Sequence, residues 1–419
     1  MEFILAHGTL ILFLACAFGF FMAWGMGAND VSNAMGTSVG SGVLTVKQAI
    51  IVAMVFEFLG AYLAGGEVTE TVRSGIVDSR VVADTPHLLV YGMMSTLLGT
   101  ALWLTIASAK GWPVSTTHTV IGAIMGFAVV GIGFDAVQWS KIWSIVGGWV
   151  FSPILAGLIS YALFRSVQKL ILDTPDPFVQ AKRFVPFYLF LTGFMVSMVT
   201  FMKGLKHLGY DLGTLASIGL AAATGLIITL IGKVLLNRIE PSADQDRRFR
   251  FASTERLFGV LMIFTACSMA FAHGSNDVSN AVGPLAAIYS VVSEGGVNSS
   301  SHIPSWILLL GGVGIVAGLA MFGRRVMHTI GKKITELTPS RGFAAELGAA
   351  STVVLATGTG LPVSTTHTLV GAILGVGFAR GIGALNLRVI RGIFASWFVT
   401  LPAGAFFSSI FFFLFVALF

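Results

Sequence analysis

Charge is what this chain has least of. Lys, Arg, Asp and Glu make up 11% of its 419 residues, against roughly a quarter in an average soluble domain. So little charge cannot cover a water-exposed surface, which excludes an ordinary soluble fold. The formal net charge of +6 does not point to nucleic acid, because the Lys and Arg residues sit in short loops between apolar runs, where they record orientation in a membrane. Cysteine is nearly absent. Cys16 and Cys267 are the only two, and both fall inside apolar runs away from oxidant and water, so they read as packing residues and not as a disulfide or metal pair. Also missing is the alternating ten-residue pattern of a membrane β-barrel strand.

What is present is apolar: 55% of the residues, with 50 glycines. Runs of about 20 such residues, enough to cross roughly 30 Å of hydrocarbon as helix, recur along the chain. Inside a bilayer every backbone polar group must be paired internally, and continuous Leu-, Ala-, Gly- and Ile-rich runs do this as helices. The sequence therefore predicts an all-α polytopic membrane protein. Twelve segments are expected, near 5–27, 44–65, 88–109, 116–133, 140–164, 186–203, 213–236, 256–273, 304–323, 343–359, 364–380 and 391–418. The first lacks a basic leader and a cleavage site and reads as a retained span.

Basic residues collect in the loops 165–185 (Arg165, Lys169, Lys182, Arg183) and 236–255 (Arg238, Arg247, Arg248, Arg250), two spans apart, so both are expected in the cytoplasm. The stretch from Val282 to Ile303 has neither Lys nor Arg, whereas Arg324, Arg325, Lys332, Lys333 and Arg341 follow one span later, and Arg380, Arg388 and Arg391 return to the inside. This alternation puts both termini outside.

Two polar phrases are each written twice: "GANDVSNAMG" from Gly27 with "GSNDVSNAVG" from Gly274, and "GWPVSTTHTVIGAIMG" from Gly111 with "GLPVSTTHTLVGAILG" from Gly360. Their matching separation divides the chain into an N-terminal repeat, 1–165, connecting spans and loops, 166–249, and a C-terminal repeat, 250–419. Seven spans separate the two starts, and seven is odd, so the repeats have inverted topology. Re-entrant hairpins at the PVSTTH phrases would not change that parity. Inverted repeats with broken helices or hairpins in matching places are the layout of a secondary transporter, with its site near the midplane where the repeats meet.

In the first phrase the glycines at 25 and 27 are expected to loosen the helix where Asn29 and Asp30 can bind their own backbone, so a break is predicted there. Asp30 and Asp277 would then lie at membrane depth, where an ionised carboxylate costs about 2.5–3.5 kcal/mol. A small cation would offset that cost, held by hard oxygens from Asp30, Asp277, Asn33, Asn280, Ser32 and Ser279. The blander reading, an N-cap of the following helix, is weakened by the second copy.

In the second phrase Pro113 and Pro362 stop one helix, and Ser115, Thr116, Thr117 and Ser364, Thr365, Thr366 open the next. Free N–H groups, the positive end of the helix dipole and three hydroxyls make an anion site without Arg or Lys, and Asn29 and Asn276 are assigned to it as well. Ordinary capping needs only one hydroxyl and no twin. His118 and His367 sit one position further on and are read first as backbone-bonded, second as proton carriers. Glu57 and Glu346 are carboxylates within spans, hence candidates for ion coupling, though they occupy non-equivalent places. No intramembrane His or Lys relay is evident beyond the two motif histidines.

These residues resemble the Pit-type inorganic phosphate transporter family, whose hallmark is a Gly-Ala-Asn-Asp-Val-Ala-Asn phrase in each half. Gly27–Asn33 and Gly274–Asn280 match it with serine for alanine at Ser32 and Ser279; the PVSTTH phrases and "ETVRSGIVD" from Glu70 to Asp78 match too. The likeness covers essentially the whole chain. It implies import of inorganic phosphate in symport with sodium or protons across the cell inner (plasma) membrane, alternating access, homodimers, and no cofactor beyond the coupling ion. The family's animal members carry a long cytoplasmic loop between the seventh and eighth spans; here about twenty residues lie there, which looks prokaryotic. Sodium is favoured for the oxygen-rich aspartate sites and for charge balance with phosphate. A proton-coupled phosphate or metal-phosphate carrier is the alternative. An intramembrane Ser/His protease is disfavoured because the Ser and His pairs are duplicated in mirror image, which suits a two-faced pathway better than one reaction centre. A channel is distinguished by exchange of labelled phosphate.

Overall fold

The computed structural model describes residues 6–110, 112, 114–241, 251–294, 303–333, 337–381 and 387–419. Pro113, Arg247, Arg248, Arg250 and the stretch 295–302, on which expectations above rest, lie outside those residues. Among the described residues the chain folds into thirteen α-helices: α1 (Gly8–Gly40), α2 (Val46–Ala64), α3 (Gly66–Ser74), α4 (Pro86–Ala109), α5 (Thr116–Gly131), α6 (Trp139–Val167), α7 (Pro177–Met202), α8 (Thr214–Asn237), α9 (Ala252–Glu294), α10 (Ser305–Lys333), α11 (Pro339–Gly358), α12 (Thr365–Arg380) and α13 (Leu387–Leu418). The only β pairing among them is an isolated antiparallel bridge between Val77 and Val137. All twelve expected segments are helical, and among the described residues nine helices are long and apolar enough to cross a membrane. This is an integral membrane protein.

The remaining three expected segments are α5, α11 and α12. At 16 residues each, α5 and α12 span only about 24 Å at 1.5 Å per residue, less than the hydrocarbon thickness. They fold back on α4 and α11 as two helical hairpins. Thr45 starts α2 with a capping box to Gln48, and Ser115 and Ser364 cap α5 and α12 by accepting from the backbone N–H of His118 and His367. Those are the helix starts that the PVSTTH phrases predict.

One expectation is overturned. No helix breaks at the Asn-Asp phrases: α1 runs unbroken through Gly25–Asn33, and α9 through Gly274–Asn280. The glycines there serve packing. A Cβ at Gly27 would stand 2.0 Å from the Ile315 carbonyl oxygen on α10, and one at Gly274 would stand 2.1 Å from that of Glu57 on α2. Small residues let two backbones touch, the usual means of joining helices in lipid. The Asn and Asp side chains find partners on other elements, so they do not compete for the backbone of their own helix.

The same logic joins the rest. Gly122 and Gly126 of α5 abut Leu401 and Ala405 of α13, while Gly371 and Gly375 of α12 abut Pro153 and Gly157 of α6. Each short hairpin helix is thereby clamped against a long helix from the other half of the chain. The hairpin ends point at the middle of α1 and α9.

Candidate functional site

Asp30 and Asp277 are each 1% exposed, Asp30 about two-thirds of the way along α1 and Asp277 near the middle of α9, the two longest helices. Around them the hairpin ends close through two kinds of bond, each present twice. The Thr116 hydroxyl donates to Asp30 Oδ2, and that of Thr365 to Asp277 Oδ2 at 2.9 Å. The amide of Asn33 donates to Thr366 Oγ1 at 2.7 Å, and that of Asn280 to Thr117 Oγ1 at 3.3 Å. Aspartate therefore holds the first threonine of its own half, while asparagine holds the second threonine of the other. Thr117 also donates to the Val363 carbonyl at 3.1 Å, which brings the two hairpin ends together.

Asn29 and Asn276 hold the outgoing strands of the hairpins. Asn29 Nδ2 reaches Ser108 Oγ at 3.1 Å and the Trp112 carbonyl at 3.2 Å; Asn276 Nδ2 reaches Thr357 Oγ1 at 3.0 Å and the Leu361 carbonyl at 3.3 Å. Ser32 and Ser279 donate to the carbonyls of Asn29 and Asn276 in their own helices, leaving their lone pairs uncommitted.

Donors and acceptors are unevenly spent. The buried oxygens Asn29 Oδ1, Asn276 Oδ1, Asn280 Oδ1 and Asp277 Oδ1 have no hydrogen-bond partner among the described residues. Orphaned buried acceptors are costly, and a hard cation is the ligand that satisfies carboxylate and amide oxygens without bringing acceptors of its own. Beside them, the first N–H groups of α5 and α12 have no intrahelical acceptor, and an anion is what helix N-termini attract. One buried volume thus offers oxygens to cations and N–H groups to an anion.

His273 was passed over by the sequence reading, which found no intramembrane His or Lys relay beyond the two motif histidines. It lies on α9, fully buried, with Nε2 3.1 Å from Asp277 Oδ2 and Nδ1 3.3 Å from Glu57 Oε1. Ligand atoms of Asp30, His273 and Asp277 lie within 4.8 Å of one another. The two halves differ here. The residue matching His273 in the first phrase is Met26, and Ile315 meets Gly27 just as Glu57 meets Gly274. The buried Glu–His pair between α2 and α9 has an apolar Ile–Met combination at the corresponding places on α10 and α1. The signal was available one position before the shared letters, but comparing repeats for identity passes over their differences.

Glu346 is elsewhere. Its carboxylate accepts from Thr37 Oγ1 (2.6 Å), Ser38 Oγ (2.5 Å) and Thr265 Oγ1 (2.6 Å), about two helical turns along α1 from Asp30. The rings of His118 and His367 pack edge to face at 4.3 Å, with Trp149 3.8 Å from His118. They form part of the wall of an apolar cavity of about 840 Å³ between α6, α12 and α13.

With this geometry in view, comparison with known proteins is direct. Residues 26–408 match the model of the phosphate transporter family. A protein of Haemophilus influenzae that carries the name phosphate permease is 54% identical over 417 residues, covering 99% of this chain and 98% of that one. The inorganic phosphate transporter 2-1, chloroplastic, of Arabidopsis thaliana is 43% identical over 421 residues, 96% of this chain and 70% of its own. A solved structure described as the sodium-dependent phosphate transporter superposes with a TM-score of 0.91 at 39% identity, covering 98% of this chain and all of that one. The chain belongs to the phosphate transporter family.

Proposed function

We propose that this protein imports inorganic phosphate in symport with sodium by alternating access, at a midplane site between two inverted repeats, 1–165 and 250–419. The observation that carries this reading is the doubled set of Asp–Thr and Asn–Thr bonds. It gathers two carboxylates and two helix N-termini in one buried volume, so cations at Asp30 and Asp277, with Asn33, Asn280, Ser32 and Ser279, neutralise the anion held by Ser115, Thr116, Thr117, Ser364, Thr365 and Thr366. Buried charges are tolerable only when paired, so anion and cations enter together and neither crosses alone. That the solved relative is described as sodium-dependent supports the same ion. The uneven use of basic loops supports both termini outside, in the plasma membrane, and family resemblance supports a homodimer.

A second reading, proton coupling, has one observation in its favour: His273 between Glu57 and Asp277. Phosphate uptake into proteoliposomes under separately imposed sodium and proton gradients decides. Symport with sodium requires uptake driven by a sodium gradient at equal pH on both sides. Uptake that follows the pH gradient and ignores sodium would reject it.

A further inference from the structure

The site is sealed in this structure: Asp30, Asp277, Thr116, Thr117, Thr365 and Thr366 are all within 2% of full burial. Some element must part for phosphate to enter. The segment between α2 and α4 is charged, carrying Glu67, Glu70 and Arg73 on α3 and Asp78 and Arg80 after it, of which Arg73 is buried while Glu70 and Arg80 reach the surface. Arg73, paired with Glu70 at 2.8 Å, is the one buried Lys or Arg among the described residues. Charge at such depth is kept where polar cargo passes.

Helix α3 lies lengthwise on α9 beside the site. A Cβ at Gly65 would meet Val278, the neighbour of Asp277, and one at Gly283 would meet Val72. At its far side α3 packs beside the second hairpin and, among the described residues, is joined to it by one hydrogen bond, from Thr71 Oγ1 to the Gly360 carbonyl at 2.7 Å, four residues before Ser364. Immediately beyond α3 the chain is pinned much more firmly to the turn that follows the first hairpin: Gln138 N donates to the Ile76 carbonyl and Asp78 N to that of Ala136, both at 2.8 Å, around the Val77–Val137 bridge. Gly65 and Gly75 flank α3, and small residues at the ends of an element are common hinge positions.

We propose that α3 is the gate on this face of the phosphate site, and that it opens at the Thr71–Gly360 contact while its base at Val77–Val137 stays closed. This rests on the midplane reading of the site. The two contacts differ in the way a gate requires: one side-chain bond where the elements part, a backbone ladder where they stay together. Gly360 has φ +68, which fixes its carbonyl toward Thr71.

Paired thiols test it in proteoliposomes, with Cys16→Ala and Cys267→Ala as background. A Cβ at position 360 would lie 3.4 Å from Thr71 Oγ1, within disulfide reach. Thr71→Cys with Gly360→Cys is expected to lose phosphate uptake on oxidation and regain it on reduction. Val77→Cys with Val137→Cys, oxidised to the same extent, is expected to keep it. Sustained uptake with the 71–360 disulfide formed overturns the gate, as does loss of uptake with the 77–137 disulfide formed. Should the strained Gly360 variant fail to fold, Thr71→Val replaces it. Removing the latch then speeds labelling of Val363→Cys by an impermeant thiol reagent applied to the face where α2 ends, and an unchanged labelling rate overturns the proposal. Phosphate binding to the reduced, unlocked Thr71→Cys/Gly360→Cys protein, measured in detergent with sodium, separates failure of the gate from failure of the site itself.

Discussion

Asn33 and Thr366 are 333 positions apart in the chain, and the Asn33 amide donates a 2.7 Å hydrogen bond to the Thr366 hydroxyl. The matching pair, Asn280 and Thr117, is longer at 3.3 Å. The bond to Thr366 fixes its hydroxyl with the proton left to point at an anion, because the amide occupies an acceptor position, whereas the Thr117 proton is given to the Val363 carbonyl.

Replacing Thr366 by Val keeps shape and deletes that donor, worth roughly 1.5–3 kcal/mol toward a charged ligand. Phosphate affinity is expected to fall by about tenfold or more, with a smaller loss for Thr117→Val, whose hydroxyl is already shared with the Val363 carbonyl. Phosphate isotherms at fixed sodium measure both. Unchanged affinity in both variants would reduce these hydroxyls to caps.

Under the proposed symport, Asp30→Asn and Asp277→Asn remove the carboxylates that would balance the coupling ion. Sodium is expected to bind more weakly, and phosphate with it, since coupled ligands raise each other's affinity equally. High sodium should partly restore the phosphate isotherm. Wild-type affinity and sodium dependence in either variant would make that aspartate structural.

The Glu57–His273 pair invites a swap to the residues of the other half. His273→Met alone strands a buried carboxylate and is expected to cost about 3–5 kcal/mol, seen as a lowered melting temperature in detergent. The double variant, Glu57→Ile with His273→Met, copies Ile315 and Met26 and should recover most of that stability. A double variant no more stable than the single would mean the two halves are packed too differently to exchange.

Gly27→Ala places a methyl group 2.0 Å from the Ile315 carbonyl oxygen, so α1 and α10 must separate. Overpacking of this kind costs typically about 1–3 kcal/mol. Gly147→Ala, where nothing lies within 4 Å, should melt like the parent. Equal melting temperatures for the two would refute the packing account of the phrase glycines and reopen the helix-break reading.

What the sequence by itself determined was local or doubled. Twelve apolar segments, the caps at Ser115 and Ser364, and the pairing of Asp30 with Asp277 as equivalents follow from hydrophobic runs, hydroxyls at helix starts and repeated letters. Each is encoded within a few residues or by direct comparison of two phrases. Tertiary structure decided the rest. Whether Gly25–Asn33 bends or runs straight depended on what stood across from Gly27, and that was Ile315 on a helix almost 300 residues away. His273 acquired meaning only when α2 carried Glu57 against it, and Glu346, a candidate for ion coupling, is placed by its hydrogen bonds to Thr37, Ser38 and Thr265 and not beside Asp30 or Asp277. A buried polar group takes its role from its partner, and partners here are brought together by glycine-mediated contacts between helices far apart in the chain.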